Sequence, residues 1–504
     1  MLISLIVTVR NEGENIRRLL DSLLQQTRLP DEVIISDGGS TDNTLAVLEE
    51  YQDRLPLRII KAPGANISKG RNIAIRAASY QVIAVTDAGV RLHPEWLAKI
   101  TAPFNDPQTQ AVAGFFLPDP HTPFEVALGA TVLPVESDVA PERFMPSSRS
   151  VAFRLAIWEA VGGYPEWLDY CEDLIFDFRL VARVGPFRFE PGALVYYRPR
   201  TTLHEFFRQY YLYARGDGKA NLFPLRHLIR YLTYPIALPA ILAMVVMDRP
   251  LWLLALIPAG LYLFGPAYRR LIGQWGPLNW RERLAAAAWI PVIRVAGDVA
   301  KMVGYPVGWV WRLRHHPPEW RISPLKSSDP VISVYRGAWL KQDVALSSRI
   351  NLVDKPGLLR NLAILITRTG DGLSFLVGMG LLYLFGSPYW RALVLVWLLA
   401  DLAAFILVQI VKAMIQRPRP LGEWGKVYRM MDPHSFPSGH AARGGVLAAI
   451  GLLLMPLPIS PLVAAWGLLI ALSRVALGVH YLSDVAVGFV LGAVVGSVVA
   501  LVVR

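Results

Sequence analysis

The chain has 504 residues, 53% of them hydrophobic and 18% charged, with a formal net charge of +12. That is too long for one ordinary domain and too apolar for a wholly soluble protein, and the single cysteine, Cys171, excludes an intrachain disulfide. The positive balance suits anionic lipid headgroups and phosphorylated substrates, whereas no basic tract with interleaved aromatics supports a nucleic-acid partner.

Leu2 to Val9 reads as a buried strand, and Met1 leads into it with no cleavable signal peptide ahead, which predicts an N-terminal domain in the cytoplasm. A polar loop and a helix from about Asn15 to Gln26 follow. Next come a strand over Glu32–Asp37, a helix from Thr44 to Tyr51, and strands at Arg58–Lys61 and Gln81–Asp87. Strands alternating with helices predict a parallel sheet covered on both faces. Ligands of such sheets bind at the carboxyl ends of strands, where Asp37 and Asp87 fall.

After Phe223-Pro224 the character changes. Tyr231 to Met247 and Leu251 to Tyr268 read as two short spanning helices. Trp289 to Trp311 is apolar but carries Arg294, Asp298 and Lys301, a spacing that predicts an interfacial amphipathic helix. Residues 312–354 read as a basic linker, and five spans are expected near 371–386, 389–411, 440–456, 460–478 and 484–503. The domain plan is therefore 1–225, 226–311, 312–354 and 355–504.

Ionisable groups among membrane-length apolar runs are costly and usually functional. Here they fall in three places: Lys412 with Arg419-Pro420, then Pro437-Ser438-Gly439-His440, then Ser473-Arg474 with His480 and Asp484. Hydrolysis of a phosphate ester without metal needs a nucleophile, an acid for the leaving oxygen and cations around the equatorial oxygens. His480 can be the nucleophile. Asp484, four residues on, can hold its imidazole, and His440 can protonate the leaving group. Lys412, Arg419 and Arg474 can neutralise the phosphate, with Ser438 and Gly439 adding a hydroxyl and backbone N–H groups at a helix start.

These three segments resemble the type-2 phosphatidic acid phosphatase superfamily over roughly 355–504: Lys-six residues-Arg-Pro, Pro-Ser-Gly-His, and Ser-Arg-five residues-His-three residues-Asp are all complete. The resemblance implies an all-α multi-pass membrane fold, a phosphohistidine intermediate and no metal cofactor. Its substrates would be lipid phosphates or polyprenyl diphosphates. It also implies one helix more than the five spans, which Leu358 to Arg368 can supply.

In the N-terminal region, Ser36-Asp37-Gly38-Gly39-Ser40-Thr41-Asp42 ends a strand, as do Thr8-Val9-Arg10-Asn11-Glu12 and Thr86-Asp87-Ala88-Gly89. Tyr170-Cys171-Glu172-Asp173 sets two carboxylates beside an apolar run, and one can deprotonate an acceptor hydroxyl. The ensemble resembles the family 2 glycosyltransferases, of the α/β, Rossmann-like GT-A fold, over about 1–220. That implies an inverting transfer of a sugar from a nucleotide-diphosphate donor. Asp37 would contact the nucleoside, Arg10, Lys69 and Arg71 would line the donor site, and Asp173 of the Glu172-Asp173 pair would be the base. Asp87 takes the first place of the family's Asp-X-Asp and would ligate a divalent cation, Mg2+ or Mn2+, although Gly89 stands where the second carboxylate is expected.

The expected protein is thus a bifunctional multi-pass enzyme of the cell membrane. It would transfer sugar from a nucleotide-sugar to a membrane lipid acceptor and dephosphorylate a lipid phosphate or polyprenyl diphosphate. The alternative is a membrane phosphatase whose transferase-like domain is a non-catalytic binding module. Counting spans, with the basic linker held inside, puts the phosphatase site on the cytoplasmic face. No feature sets an oligomeric state.

Overall fold

The computed structural model describes residues 1–239, 256–319, 343–352, 357–415, 417, 419–420 and 434–503. It divides into two compact units, Met1–Tyr335 and Arg336–Arg504.

The first unit opens with the expected alternation. Its elements are β1 (Ile3–Val9), α1 (Ile16–Leu24), β2 (Glu32–Asp37), α2 (Thr44–Glu49), β3 (Leu57–Lys61), α3 (Ile67–Arg76), β4 (Val82–Val85), β5 (Val90–Leu92), α4 (Trp96–Thr101) and β6 (Ala111–Pro118). After these come α5 (Pro123–Val132), β7 (Val151–Arg154), α6 (Leu155–Ala160), α7 (Glu172–Val184), β8 (Arg188–Tyr197) and α8 (Leu203–Ala220). The eight strands form one sheet in the order β3-β2-β1-β4-β7-β6-β8-β5. β3, β2, β1 and β4 are parallel, and β7 runs antiparallel to both β4 and β6. Ile3, Leu5, Ile6 and Val7 of β1 are wholly buried, because a strand covered on both faces needs a continuous apolar run rather than an alternating one. Leu19 and Leu23 of α1 with Trp96 of α4 cover one face. Ile75 of α3 with Phe176 and Leu180 of α7 cover the other. The chain winds from β1 out to β3 and then returns to β4 on the opposite side of β1. That reversal opens a crevice at the carboxyl ends of β1 and β4.

Three further helices complete the described part of this unit: α9 (Pro224–Leu232), α10 (Leu256–Gly273) and α11 (Trp280–His315). The expected spans over 231–247 and 251–268 fall partly on residues 240–255, outside those described. α11 starts at a capping box, in which Asn279 Oδ1 accepts from the Glu282 amide at 3.0 Å and Glu282 Oε2 accepts from the Asn279 amide at 2.9 Å. One face closes on α8: a Cβ added at Gly304 or Gly308 would overlap the backbone carbonyls of Tyr211 and Arg215. The other face exposes Val292, Val295, Val299, Val303, Val307 and Val310. The amphipathic stretch expected over 289–311 is therefore the middle of a longer helix, with its polar inner edge built into the protein and its apolar edge bare.

The second unit is helical. A helix over 343–350 (α12) is followed by α13 (Leu358–Thr369), α14 (Gly372–Phe385), α15 (Pro388–Ile415), α16 (Gly439–Leu454), α17 (Ile459–Ala476) and α18 (Leu482–Val503). Among the described residues, α15, α17 and α18 are long and apolar enough to cross a membrane, and α13 with α14 form a fourth candidate bent by 63°. Two expectations change here. The span near 371–386 is one arm of that bent pair, and the span near 440–456 is a 16-residue helix, short for a full crossing. Leu395, Leu399, Leu402, Phe405, Ile406 and Ile410 of α15 are exposed, an outer surface that lipid can cover. Inside, α16 meets α17 where Gly444 faces Gly467, and α18 where Gly492 faces Ala442. A Cβ at any of these glycines would overlap backbone. The stretch 312–354 is not linker throughout, since 312–315 finish α11 and 343–350 form α12.

Candidate active sites

The second unit gathers its ionisable side chains where helix ends meet. Lys412 comes from the last turn of α15, Ser438 is the N-cap of α16, Arg474 lies in the last turn of α17, and Asp484 in the first turn of α18. His480 sits in the short connection before α18 and is buried, as are Lys412, Arg419 and Arg474. Arg419 Nη1 donates to His480 Nε2 at 2.9 Å and to the Val479 carbonyl at 3.2 Å. A guanidinium only donates, so Nε2 is the acceptor and the ring proton belongs on Nδ1. Burial, reinforced by the charges of Arg474, Arg419 and Lys412, holds this imidazole well below its ordinary range. It is therefore neutral and presents a lone pair among three cations, as a nucleophile toward phosphorus must.

Asp484 Oδ2 lies 3.6 Å from His480 Nδ1, within ion-pair range but beyond a hydrogen bond. Its oxygens serve other donors: Arg417 Nη1 at 2.6 Å and the Tyr481 amide at 2.9 Å. Arg417 in turn donates to Ser483 Oγ at 2.7 Å and to Asp343 Oδ2 at 2.8 Å. Asp343 Oδ1 accepts from the Ser483 amide at 3.0 Å, and Ser347 Oγ accepts from the Leu482 amide at 2.9 Å. The first-turn amides of a helix have no partners of their own, and α12 supplies them for α18. Burial opposes the charge on Asp343, yet the bonds from Ser483 and Arg417 keep its carboxyl below the usual range.

His440 Nε2 lies 2.8 Å from Asp371 Oδ1, at the bend between α13 and α14. Arg443 fixes that bend, donating to the Gly370 carbonyl at 2.7 Å and to both Asp401 oxygens at 3.0 Å. Ser438 is buried, its amide donating to the Asp484 carbonyl at 3.0 Å. A Cβ at Gly439 would meet only Val408 Cγ1, 3.9 Å away, which leaves that backbone open to a ligand. Asp371, Arg417, Asp343 and Ser483 carry no motif spacing and went unnoticed in the sequence.

In the first unit a cavity of about 1050 Å³ opens at the crevice, lined by Thr8, Arg10, Gly38, Asp87, Glu172 and Asp173 among others. At its centre Arg71 of α3 is bracketed by two carboxylates, Asp87 Oδ1 at 2.8 Å from Nη2 and Glu172 Oε1 at 2.7 Å from Nη1. Arg149, not picked out from the sequence, lies 3.6 Å from Asp87 Oδ2. Glu172 is buried on Arg71, whereas Asp173 is half-buried and lines the cavity, Oδ1 accepting from the Leu174 amide at 2.9 Å. Burial raises both carboxyls; Asp173 raises Glu172 further, and Arg71 opposes the shift. The turn that presents them is strained, Cys171 adopting φ +64° in the left-handed region.

The other expected donor-site residues divide. Arg10 is exposed and lines the cavity. Asp37 is buried and bound to its own turn, accepting from the Ser40 amide at 3.1 Å and Ser40 Oγ at 2.5 Å, while Gly38 is the neighbour that lines the cavity. Lys69 is exposed and is not among the lining residues. Among the described residues no group of three or more His, Cys, Asp and Glu side chains could hold a metal ion. Asp87 is turned to two arginines, so a cation there would have to displace them and take its other ligands from donor phosphates and water.

Tyr213, Asp217, His227, Arg230 and Lys301 line the same cavity. His227 Nε2 lies 3.2 Å from Asp217 Oδ2, and Arg230 Nε donates to Asp298 Oδ1 at 2.7 Å.

Comparison with known proteins agrees with this division. Residues 4–134 match the family described as glycosyl transferase family 2, and residues 390–504 match the PAP2 superfamily. The first match ends before Glu172, and the second contains Lys412 through Asp484. Validoxylamine A glucosyltransferase of Streptomyces hygroscopicus subsp. limoneus is 33% identical over 105 residues, 20% of this chain and 23% of that protein. The chain therefore spans about a quarter of such relatives. An O-antigen chain rhamnosyltransferase of Salmonella typhimurium is 23% identical over 223 residues, 42% of this chain and 71% of that protein. Among solved structures, a mannosyltransferase of Pyrobaculum calidifontis in complex with GDP-Man and Mn2+ is 17% identical. It covers 62% of this chain and 87% of its own, at a TM-score of 0.37.

Proposed function

We propose, for a chain that joins a family 2 glycosyl transferase segment to a PAP2 segment, a membrane enzyme with two activities in glycolipid or lipid-linked saccharide synthesis. The observation that carries the phosphatase half is the convergence of Lys412, Arg419 and Arg474 on a neutral His480. His480 Nε2 attacks phosphorus, which requires Arg419 to turn from the imidazole to the phosphate oxygens. His440, entering as the imidazolium with its Nε2–H on Asp371, gives its Nδ1 proton to the departing lipid oxygen and, once neutral, takes a proton from the attacking water. Water then hydrolyses the phosphohistidine. Lys412, Ser438, Gly439 and Arg474 hold the equatorial oxygens throughout, and cations of the chain itself do the work a metal would otherwise do.

In the transferase half, Asp173 takes the proton of the acceptor as its oxygen attacks the anomeric carbon from the face opposite the nucleoside diphosphate, giving inversion. Arg71 keeps Glu172 and Asp87 in register around that point. Arg10 and Arg149 supply positive charge on the donor side. A divalent cation anchored by Asp87 would neutralise the leaving diphosphate. The lipid acceptor and the lipid phosphate substrate belong to one pathway in this reading. In one scheme the phosphatase makes a polyprenyl phosphate from its diphosphate and the transferase glycosylates it; in the other it dephosphorylates a lipid to expose the hydroxyl that receives the sugar. Inorganic phosphate release and sugar transfer by the full chain test the two halves separately. His480→Ala should lose only the first and Asp173→Asn only the second, and retained phosphate release in His480→Ala would sink the nucleophile assignment.

The site faces the cytoplasm in this proposal. A reporter at residue 458, in the loop at the other end of α16 and α17, should then read as external; a cytoplasmic signal there refutes it. The reading of the transferase-like domain as a binding module draws on Gly89 and on the neutralised Asp87. It predicts nucleotide-sugar binding with no turnover at any Mn2+ concentration.

A further inference from the structure

We infer that the far lobe of the first unit's cavity is the headgroup site for a phosphorylated lipid acceptor, its phosphate held by Lys301, Arg226 and Arg230 and its chain leaving along the bare apolar edges of α9 and α11. This rests on reading the unit as a glycosyltransferase and adds the chemical class of what it glycosylates.

Four observations meet here. The first is size. A cavity of about 1050 Å³ is at the upper end of the range for ligand sites, about 300–1,000 Å³. The second is continuity: Asp173 and Tyr213 line the same cavity as Thr8 and Asp87 at the crevice and as Arg226, Arg230 and Lys301 of α9 and α11.

The third is charge. Arg226, Arg230 and Lys301 line the cavity together with Asp217, and Asp298 is the carboxylate that Arg230 and Arg294 share. Asp298 takes Arg230 at 2.7 Å, Arg294 at 3.2 Å and the Tyr234 hydroxyl at 2.9 Å. Asp217 faces His227, whose buried Nδ1 has no hydrogen-bond partner among the described residues. Lys301 makes no hydrogen bond or ion pair to a described residue and rests over the Tyr210 ring, 4.7 Å from its centroid. Burial, then Arg230 and Arg294, push its ammonium down to about 8, with Asp298 and Asp217 opposing. An anion would relieve that. A neutral hydroxyl acceptor would not.

The fourth is the outer surface. On α9, Leu225 and Ile229 are exposed one position before Arg226 and Arg230. On α11, Val295, Val299 and Val303 are exposed one turn apart, on the side of the helix away from Lys301. Side chains four apart share a helix face and those two apart do not, so α11 turns Lys301 to the cavity and its valine row outward, and α9 sets Leu225 and Ile229 to one side of Arg226 and Arg230. A charged head and an apolar chain on one molecule match that pattern. A free phosphate or a second nucleotide uses only half of it.

The test is photo-labelling of the full chain in detergent with a diazirine-bearing farnesyl phosphate, followed by mapping of the labelled peptides. Labelling needs no turnover, and labels within 390–504 report the phosphatase unit separately. Label should appear within 224–303, drop about tenfold or more in Lys301→Met, return in Lys301→Arg, and be displaced by unlabelled farnesyl phosphate. Equal labelling by the matching farnesol probe, or equal labelling of Lys301→Met, overturns the proposal. Displacement by inorganic phosphate at the same concentration also overturns it, since a free anion would then suffice. Nucleotide-sugar hydrolysis measured on the same samples reads the transferase assignment independently: its absence with labelling intact would sink that assignment and leave the lipid-phosphate site standing.

Discussion

The two sites handle charge in opposite ways. In the first unit one buried cation, Arg71, is divided between Asp87 and Glu172, and the proposed base, Asp173, follows Glu172 in the chain. In the second unit the cations come forward and the carboxylates stand behind. Asp484 and Asp343 are matched to Arg417, Asp401 to Arg443 and Asp371 to His440, while the charges of Lys412, Arg419 and Arg474 bear on His480. A site that must take a proton keeps carboxylates in the cavity and tempers them with an arginine. A site that must hold a phosphoryl group turns its acids away. The same residue types build both, and which layer they occupy separates a base from an anion hole.

Substitutions can break that contrast in order of expected size. His480→Ala removes the attacking atom, and phosphate release should fall by on the order of 10⁴-fold or more, with sugar transfer unchanged in the same preparation. Asp173→Asn should lower sugar transfer by about 10²–10⁴-fold and leave phosphate release alone; equal loss in both assays would show global damage. Arg417→Met strips the support from Asp484 without touching the three cations. It should reduce kcat for phosphate release by about 10–100-fold through misplacement, with KM little changed, whereas a rise in KM alone would place Arg417 on the substrate.

The smallest test uses pH. The Glu172-Asp173 carboxyls are raised by burial, and a base works only when ionised. Transfer should therefore climb as pH rises through a window above the ordinary carboxylate range of about 4 and reaching toward the value of about 7 for Glu172. One pH unit below that window should cost up to about tenfold. A rate flat from acid to neutral pH would remove the acid–base role from this pair. His480 should show no such loss, because its lowered pKa keeps it neutral throughout.

Much of this was legible in the chain because the information is local. Glu32–Asp37 is a strand to the residue, since its apolar run ends at a turn signal, and the three phosphatase segments announce themselves by spacing inside otherwise apolar sequence. What escaped is non-local. Arg71 meets Glu172 across 101 positions, His440 meets Asp371 across 69, and Arg417 meets Asp343 across 74. No period or motif joins such pairs. Asp37 shows the converse, a local contact: its carboxylate accepts from its own turn because Ser40 lies three residues on.

The cap that α12 places on α18 bears on how the two halves can be separated. The sequence sets the seam near residue 355, although the two compact units divide at Tyr335–Arg336, and a protease or a gene truncation aimed at 355 looks harmless. Yet Asp343 and Ser347 would leave with the wrong fragment, exposing the start of α18 and stripping Arg417 of a counter-ion one step behind His480. A phosphatase fragment cut ahead of residue 343 should keep its turnover, while one cut at 355 should be slow or unstable. The joint between the halves is thus also a working part of the one that follows it.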